Sequence, residues 1–147
     1  ERIGIIASSG AKRLKTLGIW VQNEIEAKEW FLNPTEDVRS SNFLEDTATE
    51  FDIQGLEIDY AIVAWDANYR FIDNHFQYYN FIGTRWNVVR AAEDRLYLKN
   101  AYRVLLTRAR QGLIIFIPQG DHADDTRNPE FYDGTYQYLK SLGIQEI

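Results

Sequence analysis

An α/β layered domain with a mainly parallel sheet is the fold class this sequence predicts, on three observations. The apolar runs at residues 2–7, 60–65 and 113–117 are nearly continuous rather than alternating, the mark of strands covered on both faces. Helical patterns separate them, as parallel connections require. The chain has 147 residues, 45% of them hydrophobic, which suits one core and a single domain spanning 1–147.

The first run ends at Ser8-Ser9-Gly10 and passes into Ala11-Lys12-Arg13-Leu14-Lys15, a strand, a small-residue turn and a helix start. Ser8 or Ser9 is placed to cap that helix, or to hold a phosphate together with the first-turn amides. The glycine-lysine-serine/threonine ending of a Walker loop is missing. Regularity then falls from Ile19 to Asp46. Asn23 is the expected cap of a short helix over 24–31, stopped by Pro34, and residues 35–46 are expected to be loop. Glu26 and Lys28 fit an acid-x-lysine nuclease pattern, but charges on a helix surface explain them more simply.

Residues 49–53 alternate like a strand with one wet face, ahead of the apolar run at 60–65. Between them, Gly55 permits a turn or the close approach of a ligand, with donors and acceptors on Gln54 and Glu57. Glu50, Asp52, Glu57 and Asp59 imitate a metal cluster. No histidine is near and no ligand spacing is met, so no metal is expected there. Aromatics crowd the next stretch: Tyr69, Phe71, Phe76, Tyr78, Tyr79, Phe81 and Trp86. Such rings stack on single-stranded bases and also fill cores. With only Arg70, Arg85 and Arg90 nearby, a β-rich excursion packed mainly on itself is expected, with roughly one ring in three open to a ligand.

A long helix from about Ala91 puts Tyr97, Ala101, Val104, Leu105 and Arg108 on one face at 100° per residue, and Lys99, Arg103 and Arg110 opposite. Leu106 falls on the polar side. Arg108 therefore occupies a core position in the last turn before Gly112. Burial does not neutralise a guanidinium, so Arg108 needs an anion, either a carboxylate of its own domain or a phosphate. Residues 113–117 are the clearest buried-strand run. A polar loop follows, then a helix with Asn128 as cap, Pro129 in its first turn, Tyr132, Tyr136 and Leu139 on one face, and Gly143 at its end.

The chain has no cysteine, two histidines and a net charge of −6. This excludes disulfides and cysteine-zinc sites, and any contact with nucleic acid must be local rather than through bulk charge. Asp121, Asp124, Asp125, Glu130 and Asp133 gather part of the acidity as solvated loop and helix-start carboxylates. No apolar run approaches the ~20 residues that span a bilayer, and no signal-peptide pattern is present. A cytoplasmic protein without membrane contact is the default expectation. Glu1 rather than a methionine opens the chain, so a piece of a longer protein is expected.

Three stretches carry a resemblance, in a family's order. Gly4-Ile5-Ile6-Ala7-Ser8-Ser9 with Arg13-Leu14 is similar to the strand and loop that open the second RecA-like domain of superfamily 1 helicases. Glu50-Phe51-Asp52-Ile53-Gln54-Gly55-Leu56-Glu57-Ile58-Asp59 resembles helicase motif V, and Asn100-Ala101-Tyr102-Arg103-Val104-Leu105-Leu106-Thr107-Arg108-Ala109-Arg110 resembles motif VI. The chain looks most like the Schlafen-type DNA/RNA helicase family. That resemblance implies a three-layer RecA-like (P-loop NTPase-like) domain with a mainly parallel sheet and an aromatic-rich β excursion. It implies Arg108 as the arginine finger on the γ-phosphate, with Thr107 beside it. Glu57 would contact the nucleotide sugar, Gly55 would allow approach, and Gln54 would couple the nucleotide and nucleic-acid sites. Ser8 and Ser9 would face single-stranded DNA or RNA. A Walker A lysine and an aspartate-glutamate pair are missing, so ATP and Mg²⁺ would be held mainly by an N-terminal RecA-like domain of the same protein. Two rival readings stand beside this one: a degenerate RecA-like domain that only binds nucleic acid or protein, and a stand-alone carboxylate-dependent nuclease.

Overall fold

The computed structural model describes residues 1–147. Four parallel strands form the main sheet: β1 (Ile3–Ala7), β2 (Thr47–Ala48), β3 (Ile58–Ala64) and, after three strands described below, β7 (Ala109–Phe116), in the order β2-β1-β3-β7. Ile6 pairs with both Ala48 and Val63, and Val63 pairs with Ile115. Side chains alternate across a strand, so Ile6, Ala61 and Val63 share one face and Ala7 and Ala64 take the other. The first face carries the larger core, with Trp30, Ile53, Trp65, Tyr102 and Leu105. The second is covered near its upper end by Ala11, Leu14 and Val21.

Between β1 and β2 the expected helix is short and late: α1 spans Ala27–Leu32. Asn23 does not cap it; Glu26 stands at the cap position without a side-chain bond. The anchor is Trp30, 1% exposed, which lies over Gly4 so closely that a Cβ there would meet its ring at 2.6 Å. Asn33 is extended, as the residue before Pro34 should be, and ends the helix. The loop at 35–46 contains one 3-10 turn, Ser41–Phe43, with the Ser40 side chain accepting from the Asn42 N–H.

Residues 49–53 are not a strand. The Asp52 carboxylate accepts from the Thr49 N–H and hydroxyl, closing a turn whose alternation serves a different end. Ile53 points in and Phe51 points out, 2% and 64% exposed.

The aromatic stretch forms an antiparallel meander, β4 (Tyr69–Ile72), β5 (His75–Ile82) and β6 (Arg85–Val88). Asp73 and Asn74 turn between β4 and β5 with positive φ, which those two residue types tolerate. The meander packs on itself and also on the helices of the domain. Tyr69 stacks on Phe76 at 4.2 Å and on Tyr102 at 4.9 Å, and Phe71 stacks on Tyr138 at 4.1 Å. Phe76 belongs to the meander itself, whereas Tyr102 lies on α2 (Ala92–Leu106) and Tyr138 on α3 (Glu130–Ser141), so the excursion is bound into the domain by both helices.

Helix α2 buries Leu98, Ala101, Tyr102 and Leu105, a face turned from the expected one; Tyr97 is 49% exposed and Leu106 packs partly against the core. The helix ends at Leu106, so Arg108 is not in its last turn. Thr107 closes it, its hydroxyl donating to the carbonyls of Arg103 and Val104, and the Arg108 carbonyl already accepts from the Ile58 N–H of β3. Sheet pairing thus claims the chain before Gly112. That glycine sits inside β7, where a Cβ would meet the Tyr60 ring at 2.7 Å. β7 is also an edge strand rather than a buried one: Leu113, Ile114 and Phe116 are 40%, 43% and 40% exposed. Helix α3 follows the expectation more closely. Asn128 accepts from the Glu130 N–H, Tyr132 and Leu139 are buried with Thr135, and Tyr136 lies at the rim.

Gly134 is where α3 meets β4: a Cβ would stand 2.0 Å from the Phe71 carbonyl oxygen. Alanine in mid-helix usually stabilises by about 1 kcal/mol over glycine. Here the clash reverses the sign, and Gly134→Ala should cost about 1–3 kcal/mol, read as a lower melting temperature.

Candidate functional site

Parallel strands give the sheet two unlike edges. At the lower one, where β3 and β7 begin, Arg108 is half-buried against the turn that precedes β3. Its Nη1 reaches the Leu56 carbonyl and its Nη2 the Thr107 hydroxyl, both at 3.4 Å, and its buried Nε has no partner. No carboxylate pairs with it. Arg110 stands apart, its Nε 3.8 Å from Glu57, with both side chains 65% exposed. The contrast between the two arginines therefore holds, although a strand start rather than a helical face produces it. Gln54 and Gly55 lie exposed on the same turn, and Gly55 has φ 79°, a left-handed conformation that glycine adopts without strain. The lower edge thus brings together Thr107, Arg108, Leu56 and Glu57.

At the upper edge, where β1 and β3 end, the polar groups are already engaged. Ser8 is 1% exposed, and its hydroxyl accepts from the Gly10 N–H at 3.2 Å and from Asn68 Nδ2 at 3.0 Å. It caps no helix; the 3-10 helix Lys12–Leu17 starts after Ala11. The Ser9 N–H donates to both oxygens of Glu50, at 2.8 and 3.2 Å. Asp66, fully buried, accepts from the Arg13 N–H (3.0 Å), the Ala67 N–H (2.8 Å) and the Tyr132 hydroxyl (2.8 Å). Tyr102 donates to Asn68 Oδ1 at 2.7 Å and accepts from the Asp66 N–H. Burial pushes the Asp66 carboxyl upward against these donors, and it raises the Tyr102 and Tyr132 phenols as well. Sequence reasoning did not find this network. Its one signal was an aspartate directly after an apolar parallel strand, the end where α/β sheets place their polar sites.

Four acids that suggested a metal cluster go to separate partners: Glu50 to Ser9, Asp52 to Thr49, Glu57 to Arg110, and Asp59 to the Arg2 N–H and Gln111. Of the C-terminal acids, Asp124 is held well below the usual carboxylate range by the Thr126 hydroxyl, with Arg127 and Arg13 adding to it. Arg13 also donates from Nε to Thr126, tying the segment after β1 to this loop.

Burial pushes the Glu50 carboxyl above the usual range, opposed by the Ser9 N–H. The unfolded glutamate titrates near ~4.3, so the folded state holds the extra proton. Stability from this group is full below that pH and is lost as pH rises through the folded value. Glu50→Gln keeps an acceptor for Ser9 and removes the buried charge. Thermal denaturation should show it melting higher than wild type at pH 7 and nearly level at pH 4; a lower melting temperature at pH 7 would mean the carboxylate is favourable there.

Residues 1–119 match the family model described as Schlafen group 3, DNA/RNA helicase domain. No curated protein and no solved structure matches the chain. No helix is long and apolar enough to cross a membrane.

Proposed function

The chain belongs to the Schlafen group 3 DNA/RNA helicase domain family, and on that premise we propose that it is the second RecA-like motor domain of an ATP-dependent helicase or translocase of superfamily 1. It supplies one wall of an ATP site shared with an N-terminal RecA-like domain of the same protein, and single-stranded DNA or RNA crosses its other edge. The observation that carries this reading is Arg108: a half-buried guanidinium with no carboxylate, only two long contacts, and a buried Nε left open. The other arginine with an unpartnered buried nitrogen, Arg70, is held between the Tyr79 and Phe131 rings; Arg108 has no ring over it, and a phosphoryl oxygen suits its Nε.

Arg108 neutralises charge that develops on the transferred phosphoryl group, and a fixed cation in a dry site needs little reorganisation. Mg²⁺, bound with ATP mainly by the partner domain, would shield the remaining phosphate charge. Thr107 holds the arginine at the end of α2, Gly55 lets the nucleotide approach, Glu57 accepts from the sugar, and Gln54 links this end to the nucleic acid. Ser9 and its neighbour Ser8 lie on the nucleic-acid edge, with Ser8 acting through the shape of its turn because its hydroxyl is buried.

In the complete protein, Arg108→Ala should lower ATP turnover by about 10³ to 10⁵ while weakening ATP binding far less. Arg110→Ala removes only an exposed pair and should do little to turnover or melting. Arg108→Lys should rescue poorly, since a point charge does not reproduce the planar fork. Equal turnover losses at 108 and 110 would sink the assignment and favour a domain that only binds nucleic acid or protein.

Glu57 is 65% exposed in its side chain, so Glu57→Ala should leave the melting temperature unchanged and raise the KM for ATP. A loss of stability with unchanged KM would make it a structural carboxylate.

A further inference from the structure

The two edges of the sheet are joined by one segment. β2 ends at Ala48 on the upper edge and β3 begins at Ile58 on the lower, so residues 49–57 run the height of the sheet. Leu56 meets Arg108 at the bottom, and Glu50 meets Ser9 at the top. Next to Glu50 stands Phe51, 64% exposed, its ring 6.0 Å from that of Tyr97 with 29° between the planes. Tyr97, from the first half of α2, is 49% exposed.

This pair differs from the other paired aromatics of the domain in having both rings exposed. Tyr69, Phe76 and Tyr102 are stacked within the core. Arg70 covers Tyr79 and Phe131, and Arg13 covers Phe81. No cation and no third ring lies over Phe51 or Tyr97, and Glu50, the residue before Phe51, accepts from the Ser9 N–H. Resting on the helicase reading, we propose that Phe51 and Tyr97 form a base-stacking platform for single-stranded nucleic acid at the upper edge of the sheet. Every base offers a π-face, so such a platform is indifferent to sequence. It also suits a chain of net charge −6, which cannot gather phosphates by bulk charge. A protein partner is the poorer fit. Two rings make a small patch beside the roughly 800 Å² per partner of a stable interface.

The test is fluorescence anisotropy of the complete protein with labelled oligo-dT and oligo-U at several salt concentrations, with melting temperatures as the folding control. Phe51→Ala and Tyr97→Ala should each weaken binding by about ten- to hundredfold. Phe51→Trp should restore it and Phe51→Leu should not, and the salt slope should stay that of the wild type because no phosphate contact is removed. Binding unchanged in both alanine variants, or full rescue by leucine, overturns the platform. So does a wild-type patch whose loss abolishes self-association or capture of a protein instead of oligonucleotide binding. The two readings fail separately: a wild-type protein that binds oligonucleotide but ignores Phe51→Ala removes only the platform, whereas one that binds neither oligonucleotide removes the helicase reading with it.

Discussion

Asp66 is the point through which the parts of this domain are held together. A carboxylate with no exposure costs several kcal/mol to desolvate unless its oxygens are bonded. Its three donors come from different elements: the Arg13 N–H after β1, the Ala67 N–H after β3, and the Tyr132 hydroxyl of α3. The Asp66 N–H itself goes to Tyr102 of α2, and Tyr102 passes the connection through Asn68 to Ser8. Displacing any one of these elements would leave a buried polar group unmet, so their relative positions are specified rather than merely permitted.

The meander depends on the same constraint. β4 leaves directly from this network, and its Arg70 is 3% exposed and makes no ion pair with a carboxylate. Aromatic faces take that role: the guanidinium carbon lies 3.7 Å from the Tyr79 ring centre and 3.9 Å from that of Phe131, and Nε donates to the Ala67 carbonyl. Burial lowers its pKa to about 10, which leaves it charged at neutral pH, and a desolvated cation between two rings is well held. A β excursion that might have been a loose appendage is thereby bound to α3.

Against this closed upper edge, the lower edge is open. Arg108 has long contacts to a carbonyl and a hydroxyl where Asp66 has three close donors. A rigid scaffold can present polar groups at defined positions, which is how loops on a firm sheet carry function. The segment at 49–57 touches both edges and is itself tied at each end, by Glu50 on Ser9 and by the Leu56 carbonyl under Arg108.

Local pattern alone determined much of this molecule. The parallel strands at β1, β3 and β7, the aromatic meander, α2, and α3 with its Asn128 cap all follow from periodicity and capping chemistry, which act over a few residues. The ordered motifs put Arg108 and the turn at 54–57 in one expected site, and in the structure the Arg108 guanidinium reaches the Leu56 carbonyl of that turn. Tertiary structure decided the rest. Whether residues 113–117 were central or at an edge depended on a neighbouring strand, which an apolar run does not reveal, and β7 proved to be an edge. Where α2 stops depended on the Ile58 N–H claiming the Arg108 carbonyl, a partner 50 residues away by number. A strand at 49–53 would have put Phe51 and Ile53 on one face, whereas the turn closed by Asp52 sends Ile53 inside and Phe51 outside. The Asp66 network was invisible for the same reason: its members are Arg13, Ala67, Tyr102 and Tyr132, and no short-range rule brings them together.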